Sequence, residues 1–270
     1  MRTLASALVL IFLESVPAFA IDVTSCPLVI PAGETGVVQG DFSCGGGSSA
    51  NPHHSIFLDR GARLDLNGHT ITYDSADTLG LVYCASKCEI TNGTLQGAVA
   101  TDYGIWVKQQ GRATVRDVVL SNFFIGMTAP KATVVLENVS IDAAFAGVVV
   151  AKQIQVDHVD VTLPGDVGPC LEASNGGKIF GNDVTVTGCD YGIYSQRRIE
   201  LANATVTNSR IGVFSTGRVT LTGSSVTGSE HYDIYSGWRP VLVNTACDVS
   251  QRYNRARFAP DGSWNACPGE

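Results

Sequence analysis

The residues best suited to chemistry in this 270-residue chain are aromatic and regularly spaced. Trp106, Tyr194 and Phe214 each follow a glycine by two residues, and Tyr235 follows Asp233 by two; Tyr103 and Tyr191 stand just before glycines. Rings repeated at one strand spacing, about 4.8 Å, suit the apolar C–H faces of sugars. The alternative is that they stack on one another or lie beneath a loop, as cross-strand aromatics do. Polar groups beside them supply the candidates for catalysis. Asp190, with Asp166 or Glu172 on a neighbouring coil, offers the carboxylate pair of a glycoside hydrolase, which needs separations of about 5 Å or about 6.5–9.5 Å. Arg197 or Arg239 can neutralise a uronate or take its α-proton, and His231 near Tyr232 and Tyr235 is placed to act as a general base. Each of the three leading candidates, Asp190, Arg197 and His231, reads equally as a solvated surface residue. His53-His54 lacks a third ligand, so no metal site is expected. Calcium is left open as a cofactor, without a dedicated acidic cluster to hold it.

The elements that position these residues form a repeat. The phrases DYGIWV, FIGMTA, FAGVVV, VGPCLE, DYGIYS and RIGVFS place Gly104, Gly126, Gly147, Gly168, Gly192 and Gly212 20 to 24 residues apart, with Gly80 one period earlier. A second phrase follows each (EITNGTL, TVRDVVL, VLENVSI, QVDHVDV, ELANATV). Both alternate apolar and polar residues, the period of a strand. A unit of this length holding two or three short strands is one coil of a β-solenoid, stable only when stacked on its neighbours. Residues one and three beyond each glycine are expected to point inward, ending in a serine row at Ser195, Ser215 and Ser236. The residue between them faces out: Trp106, Thr128, Val149, Cys170, Tyr194, Phe214, Tyr235. Asn92, Asp117, Asn138, His158, Asp183, Asn203 and Asn244 fall in register in the second phrase. They are expected as an inward, hydrogen-bonded ladder, whose burial would bar glycosylation of the sequons at Asn92, Asn138 and Asn203.

Residues 1–20 read as a secretory signal: Arg2, an apolar run from Leu4 to Leu13, and Ala18-Phe19-Ala20. No other segment is long and apolar enough to span a bilayer. Eight cysteines in an exported chain imply disulfides. They fall as the local couples Cys26 with Cys44, Cys84 with Cys88, Cys170 with Cys189, and Cys247 with Cys267, although sequence leaves the connectivity open. The net charge of −7 argues against a nucleic-acid partner. Residues 21–189 carry nearly all of the negative charge, leaving room for a cationic patch near the C-terminal end.

The stretch IFLDRGARLDLNGHTITY (Ile56–Tyr73), preceded by PAGETGVVQGDFSC, resembles the entry segment of secreted right-handed parallel β-helix proteins of the pectate-lyase-like superfamily. The later phrases resemble their repeats. The resemblance implies an all-β, single-domain right-handed parallel β-helix with disulfide-closed end caps: signal 1–20, N-terminal cap 21–55, repeats 56–247 and C-terminal cap 248–270. It also implies an extracellular polysaccharide as partner, bound by a monomer and open to lyase-type cleavage, or else a non-catalytic surface or matrix role. The hydrolase and epimerase phrases of that superfamily are absent from the sequence.

Overall fold

The structure is a computed structural model describing residues 20–45, 54–74, 79–98, 103–108, 110–165, 167–254, 256, 259–262 and 264–267. Residues 1–19, which hold most of the expected signal, and His53, Asp102 and Asp166, lie outside the described residues. The chain forms a right-handed β-solenoid with no helix among the described residues. Three faces recur in each coil, joined by three corners. The first face includes Gly80–Cys84, Tyr103–Val107, Pro169–Ala173, Tyr191–Ser195, Ile211–Ser215 and Tyr232–Ser236. Two strands, Arg112–Ala129 and Thr133–Val150, run continuously around corners through all three faces.

Every contact between coils is a parallel ladder. On the first face, Ile105, Met127, Val148, Leu171, Ile193, Val213 and Ile234 stand in one register. All are fully buried, so this row forms one side of a continuous apolar core. Two residues further along the strand, Ser195, Ser215 and Ser236 are also fully buried, as the sequence predicts. Their hydroxyls serve the adjoining turn: Ser195 Oγ donates to the Gly177 carbonyl at 2.8 Å and accepts from the Arg198 amide at 3.2 Å, and Ser215 Oγ accepts from the Gly217 amide at 3.0 Å. Small hydroxyls thus satisfy backbone groups that a larger apolar residue would leave unpaired.

The repeated glycines owe their identity to close approach rather than to a left-handed backbone. A Cβ on Gly126 would meet Ile141 Cγ2 at 2.6 Å, and one on Gly212 would meet Val226 Cγ1 at 2.5 Å. The left-handed positions belong instead to the second corner. Asn92, Asp117, Asn138, His158, Asp183 and Asn203 have φ between 52° and 60°, the region where Asn, Asp and His are tolerated best. This row points outward, which corrects the expectation of an inward ladder. Asn92, Asn138 and Asn203 are exposed, and burial does not bar their modification. Their amides bond across coils on the outside, from Asn92 to Asp65 at 3.1 Å, Asn138 to Asp117 at 2.6 Å and Asn203 to Asp183 at 3.1 Å.

All four cysteine couples form disulfides as grouped, fitting an oxidising, non-cytoplasmic setting. The parallel ladders already run through the segment expected to cap the N-terminal end, since Leu28–Ile30 pairs with His54–Leu58 and Phe42–Cys44 with Thr70–Tyr73. At the other end Ser250–Asn254 continues the first face and Ala259–Pro260 folds back on it antiparallel. Among the described residues no helix is long and apolar enough to cross a membrane.

Replacing Val213 by Asp buries an unpaired charge between coils and is expected to cost several kcal/mol, on the order of 3 or more. Val249→Asp, at a residue 42% exposed, should cost little. Thermal melts of both variants check this, and an unchanged midpoint for Val213→Asp would show that the row is not inward.

Candidate functional site

The outward row of the first face is one register long: Phe57, Tyr83, Trp106, Thr128, Val149, Glu172, Tyr194, Phe214, Tyr235 and Gln251. Two placements correct the sequence reading. Cys170 is fully buried, and Glu172 takes its place in the outward row, pairing with Val149 and Tyr194. Similarly Gly80 pairs with Tyr103 rather than with Gly104, which brings Tyr83 into line with Trp106. Corners absorb extra residues without disturbing the strands, so a phrase matched on its glycine can slip.

The row holds two aromatic groups. In the first, Phe57 and Tyr83 stack with centroids 5.3 Å apart, His54 lies 4.6 Å from Tyr83, and Tyr103 meets Trp106 edge-on at 4.9 Å. In the second, Tyr194, Phe214 and Tyr235 stack at 5.1 and 5.0 Å, flanked by Tyr191 and Tyr232. Tyr253 packs edge-on against both Phe214 and Tyr235, and Tyr235 is buried beneath it. Desolvation pushes the Tyr235 phenol up to about 12 and raises Tyr194 and Tyr83. Most ring faces are therefore occupied by other rings.

Between Trp106 and Tyr194 lie three coils whose outward residues are Thr128, Val149 and Glu172. Their ladder separates the two aromatic ends by about 19 Å. Phe124 and Phe145, exposed and stacked at 4.8 Å, sit at the third corner of two of these coils. Lys131 and Lys152 stand at the first corner of the same two. The result is a ring-free stretch of the face, a trough between aromatic ends, on which Thr128 is buried and Val149 and the one carboxyl, Glu172, are half-buried. Burial raises the Glu172 carboxyl above its ordinary range, against the pull of a hydrogen bond from Ser174. Phe124, Phe145, Phe57 and Tyr83 were not named by the sequence reading, and Glu172 was named there only as a carboxylate partner for Asp190, not as a member of the outward row. Aligning strands on buried alternation instead of on glycine finds Glu172 and Tyr83.

The three polar candidates do not converge. Asp190 and His231 share the third corner two coils apart, with Arg210 in register between them. Arg210 Nε pairs with Asp190 Oδ1, and its Nη2 donates to the Tyr191 hydroxyl at 3.2 Å. The bond to Asp190 holds the guanidinium firmly charged. His231 is exposed, 6.5 Å from Tyr232. Arg197 stands at the first corner, at the opposite end of the strand from Asp190 and roughly 20 Å away. Among the described residues, the donor atoms of Asp157, His158 and Asp183 come within 4.8 Å of one another at the second corner. These atoms already serve cross-coil bonds: Asn182 donates to both carboxylates, and His158 Nδ1 lies 3.0 Å from Asp157 Oδ1.

Charge is sorted around the circumference. The second corner and its flanks carry Asp65, Asp117, Glu137, Asp157, Asp160 and Asp183. The first corner carries Arg60, Lys87, Lys108, Arg112, Lys131, Lys152, Lys178, Arg197, Arg198, Arg218 and Arg239, with the acids Glu34 and Asp59 only in its first two coils. These are 11 of the chain's 18 Lys and Arg residues, counted from that list. The expected C-terminal cationic patch is thus the end of a longer stripe.

A carboxyl whose folded pKa lies above the unfolded value stabilises the fold while protonated, and loses that contribution as pH rises through the folded value. Glu172→Gln keeps the neutral form. It should melt higher than the parent at pH 7, by about 2 °C, and at the same temperature below about pH 3.5, where the parent carboxyl is protonated in both states. Paired melts across this range test the burial of Glu172.

No curated protein matches the chain. The family model for the right-handed β-helix region matches residues 81–247, the stretch that holds the trough and both aromatic ends. That match spans more than half of the sequence and agrees with the parallel ladders, so the chain belongs to the right-handed β-helix family.

Proposed function

We propose that this is a secreted, monomeric β-helix protein of the pectate-lyase-like superfamily that binds an extracellular polysaccharide in the trough of its first face. The observation that carries the reading is the break in the aromatic row. Trp106 and Tyr194 border a stretch whose outward residues, Thr128, Val149 and Glu172, carry no ring, and apolar rings on either side fit the C–H faces of a short run of sugars. Glu172 on that floor and Lys131 and Lys152 at its edge supply polar partners for hydroxyl or acidic groups.

Binding without turnover, as in a matrix or surface protein, is favoured by the pairing of Asp190 with Arg210 and by the distance of Arg197 from both. Lyase-type cleavage rests instead on Glu172, whose desolvated carboxyl is the proton-transfer group nearest the trough.

Trp106→Ala and Tyr194→Ala are each expected to weaken binding to a responsive polysaccharide by about ten-fold, or about 1.4 kcal/mol. Phe57→Ala, two coils outside the trough, should leave it unchanged. Binding assays on a panel of neutral and acidic polysaccharides, with chromatography and ultraviolet absorbance for unsaturated uronide products, read both questions. Loss of products in a Glu172→Gln variant that still binds would identify an enzyme; equal affinity across all four proteins would sink the trough as the binding site.

A further inference from the structure

The first corner carries at least one Lys or Arg on each of nine successive coils, from Arg60 to Arg239, although the row in register with Lys178 reads Lys87, Arg112, Thr133, Gln153, Lys178, Arg198 and Arg218. Lys178, Arg198 and Arg218 are direct partners in register, so their side chains leave the backbone about 4.8 Å apart. Like charges directly opposite on neighbouring strands destabilise a ladder. On the adjoining second face this same chain avoids the problem, because Arg116 reaches Glu89 at 2.8 Å and Glu137 at 2.5 Å on the coils either side. At the corner no such alternation occurs. Arg198 is held by Glu200 within its own strand, while Lys178, Arg197 and Arg218 have no carboxylate partner among the described residues. The turn that carries Arg197 and Arg198 is fixed from beneath by Ser195.

We propose that this corner is a docking line for a linear acidic polysaccharide lying parallel to the solenoid axis. It uses a different surface from the trough and stands if the trough reading fails. The stripe is one or two residues wide, roughly 38 Å long over eight coil steps, and bordered on the second face by Glu89, Glu137 and Glu200. A single chain with one carboxylate per sugar matches that width and repeat, whereas the far strand of a nucleic-acid duplex would lie over the acids. Trp238 closes the line. It is 65% exposed and forms, with Arg197, Gly217 and Arg218, a shallow hollow of about 250 Å³. An indole beside two guanidiniums can stack on a sugar ring and pair with its carboxylate.

Surface binding of the folded full chain to immobilised polygalacturonate tests this. The expected result is binding that weakens at least ten-fold between about 50 and 200 mM salt, since each paired charge releases a counterion. The triple variant Lys178→Gln, Arg198→Gln, Arg218→Gln should lose at least ten-fold in affinity at low salt and melt no lower than the parent. Arg198→Lys with Arg218→Lys should bind nearly as the parent does. Trp106→Ala with Tyr194→Ala removes the trough contact and should leave the salt-sensitive component in place. The proposal is overturned by absent or salt-independent binding of the parent, by unchanged affinity in the triple variant, or by tighter binding to a 20-base-pair DNA duplex. The salt response of the parent decides even where the triple variant does not fold.

Discussion

Parallel stacking in register makes each position of a coil confront its counterpart in the coils above and below. A helix can turn an awkward residue toward water, and an antiparallel hairpin can pair it with something different. A solenoid ladder repeats the encounter at every coil, so the residues acceptable at a position are those that tolerate their own kind. Aliphatic side chains pass this test inside, and small hydroxyls pass it where a turn needs satisfying. Aromatic rings pass it outside by stacking. Asn and Asp pass it at the second corner, where the left-handed backbone favours them and each amide finds the neighbouring carboxylate.

The same constraint explains why so much of the fold was legible before any coordinates. A row that must be apolar in every coil leaves a period in the sequence, and Ile105, Val148, Ile193 and Val213 display it openly. The local cysteine couples were equally readable: three join residues 18 to 20 apart, about one coil, which stacking brings together, and Cys84–Cys88 joins residues four apart across one turn. What failed was the absolute register at corners. The Gly168 coil enters through a longer corner segment, so its glycine is not the structural glycine; Cys170 is. A two-residue slip put Cys170 in the outward row and left Glu172, named only as a partner for Asp190, out of it. The Asx row failed differently. Its spacing was right, but its direction depends on φ, and period alone does not say whether a left-handed residue aims in or out.

Charge was the least legible property, because sequence order separates what coiling assembles. The formal charge of −7 describes neither of the two surfaces that matter. Lys87, Lys131 and Arg218 stand far apart in sequence, yet the coil period brings all three to one corner. Acidic residues at Asp65, Asp117 and Asp183 are carried to another in the same way. Charge summed by segment detected only the C-terminal part of this pattern, where arginines are dense enough to show without the fold. Sorting by corner also bears on reach. Fields of opposite sign on separate edges cancel at distances beyond about 8–10 Å in physiological salt, so a polyanion is attracted only once it lies close to the first corner, in line with the axis.

The trough falls on the part of the solenoid best able to hold a site still. Its first two floor residues, Thr128 and Val149, belong to Arg112–Ala129 and Thr133–Val150, the strands that continue around corners without a loop. Their ladders pair residue for residue over most of that length, so the floor has few independent ways to move. Glu172 is anchored otherwise, through the neighbouring coil and the Cys170–Cys189 disulfide two residues before it. A floor of this kind can afford small side chains, because the backbone ladders supply the stability that bulky aromatics supply on either side. The break in the aromatic row therefore costs the fold little where it occurs, and the same break in the coils near Tyr235, which are paired through shorter strands and covered by Tyr253, would leave a far less rigid surface. Rigidity and the absence of rings coincide at these three coils, and that coincidence is the physical reason to look for a ligand there rather than along the aromatic stacks themselves.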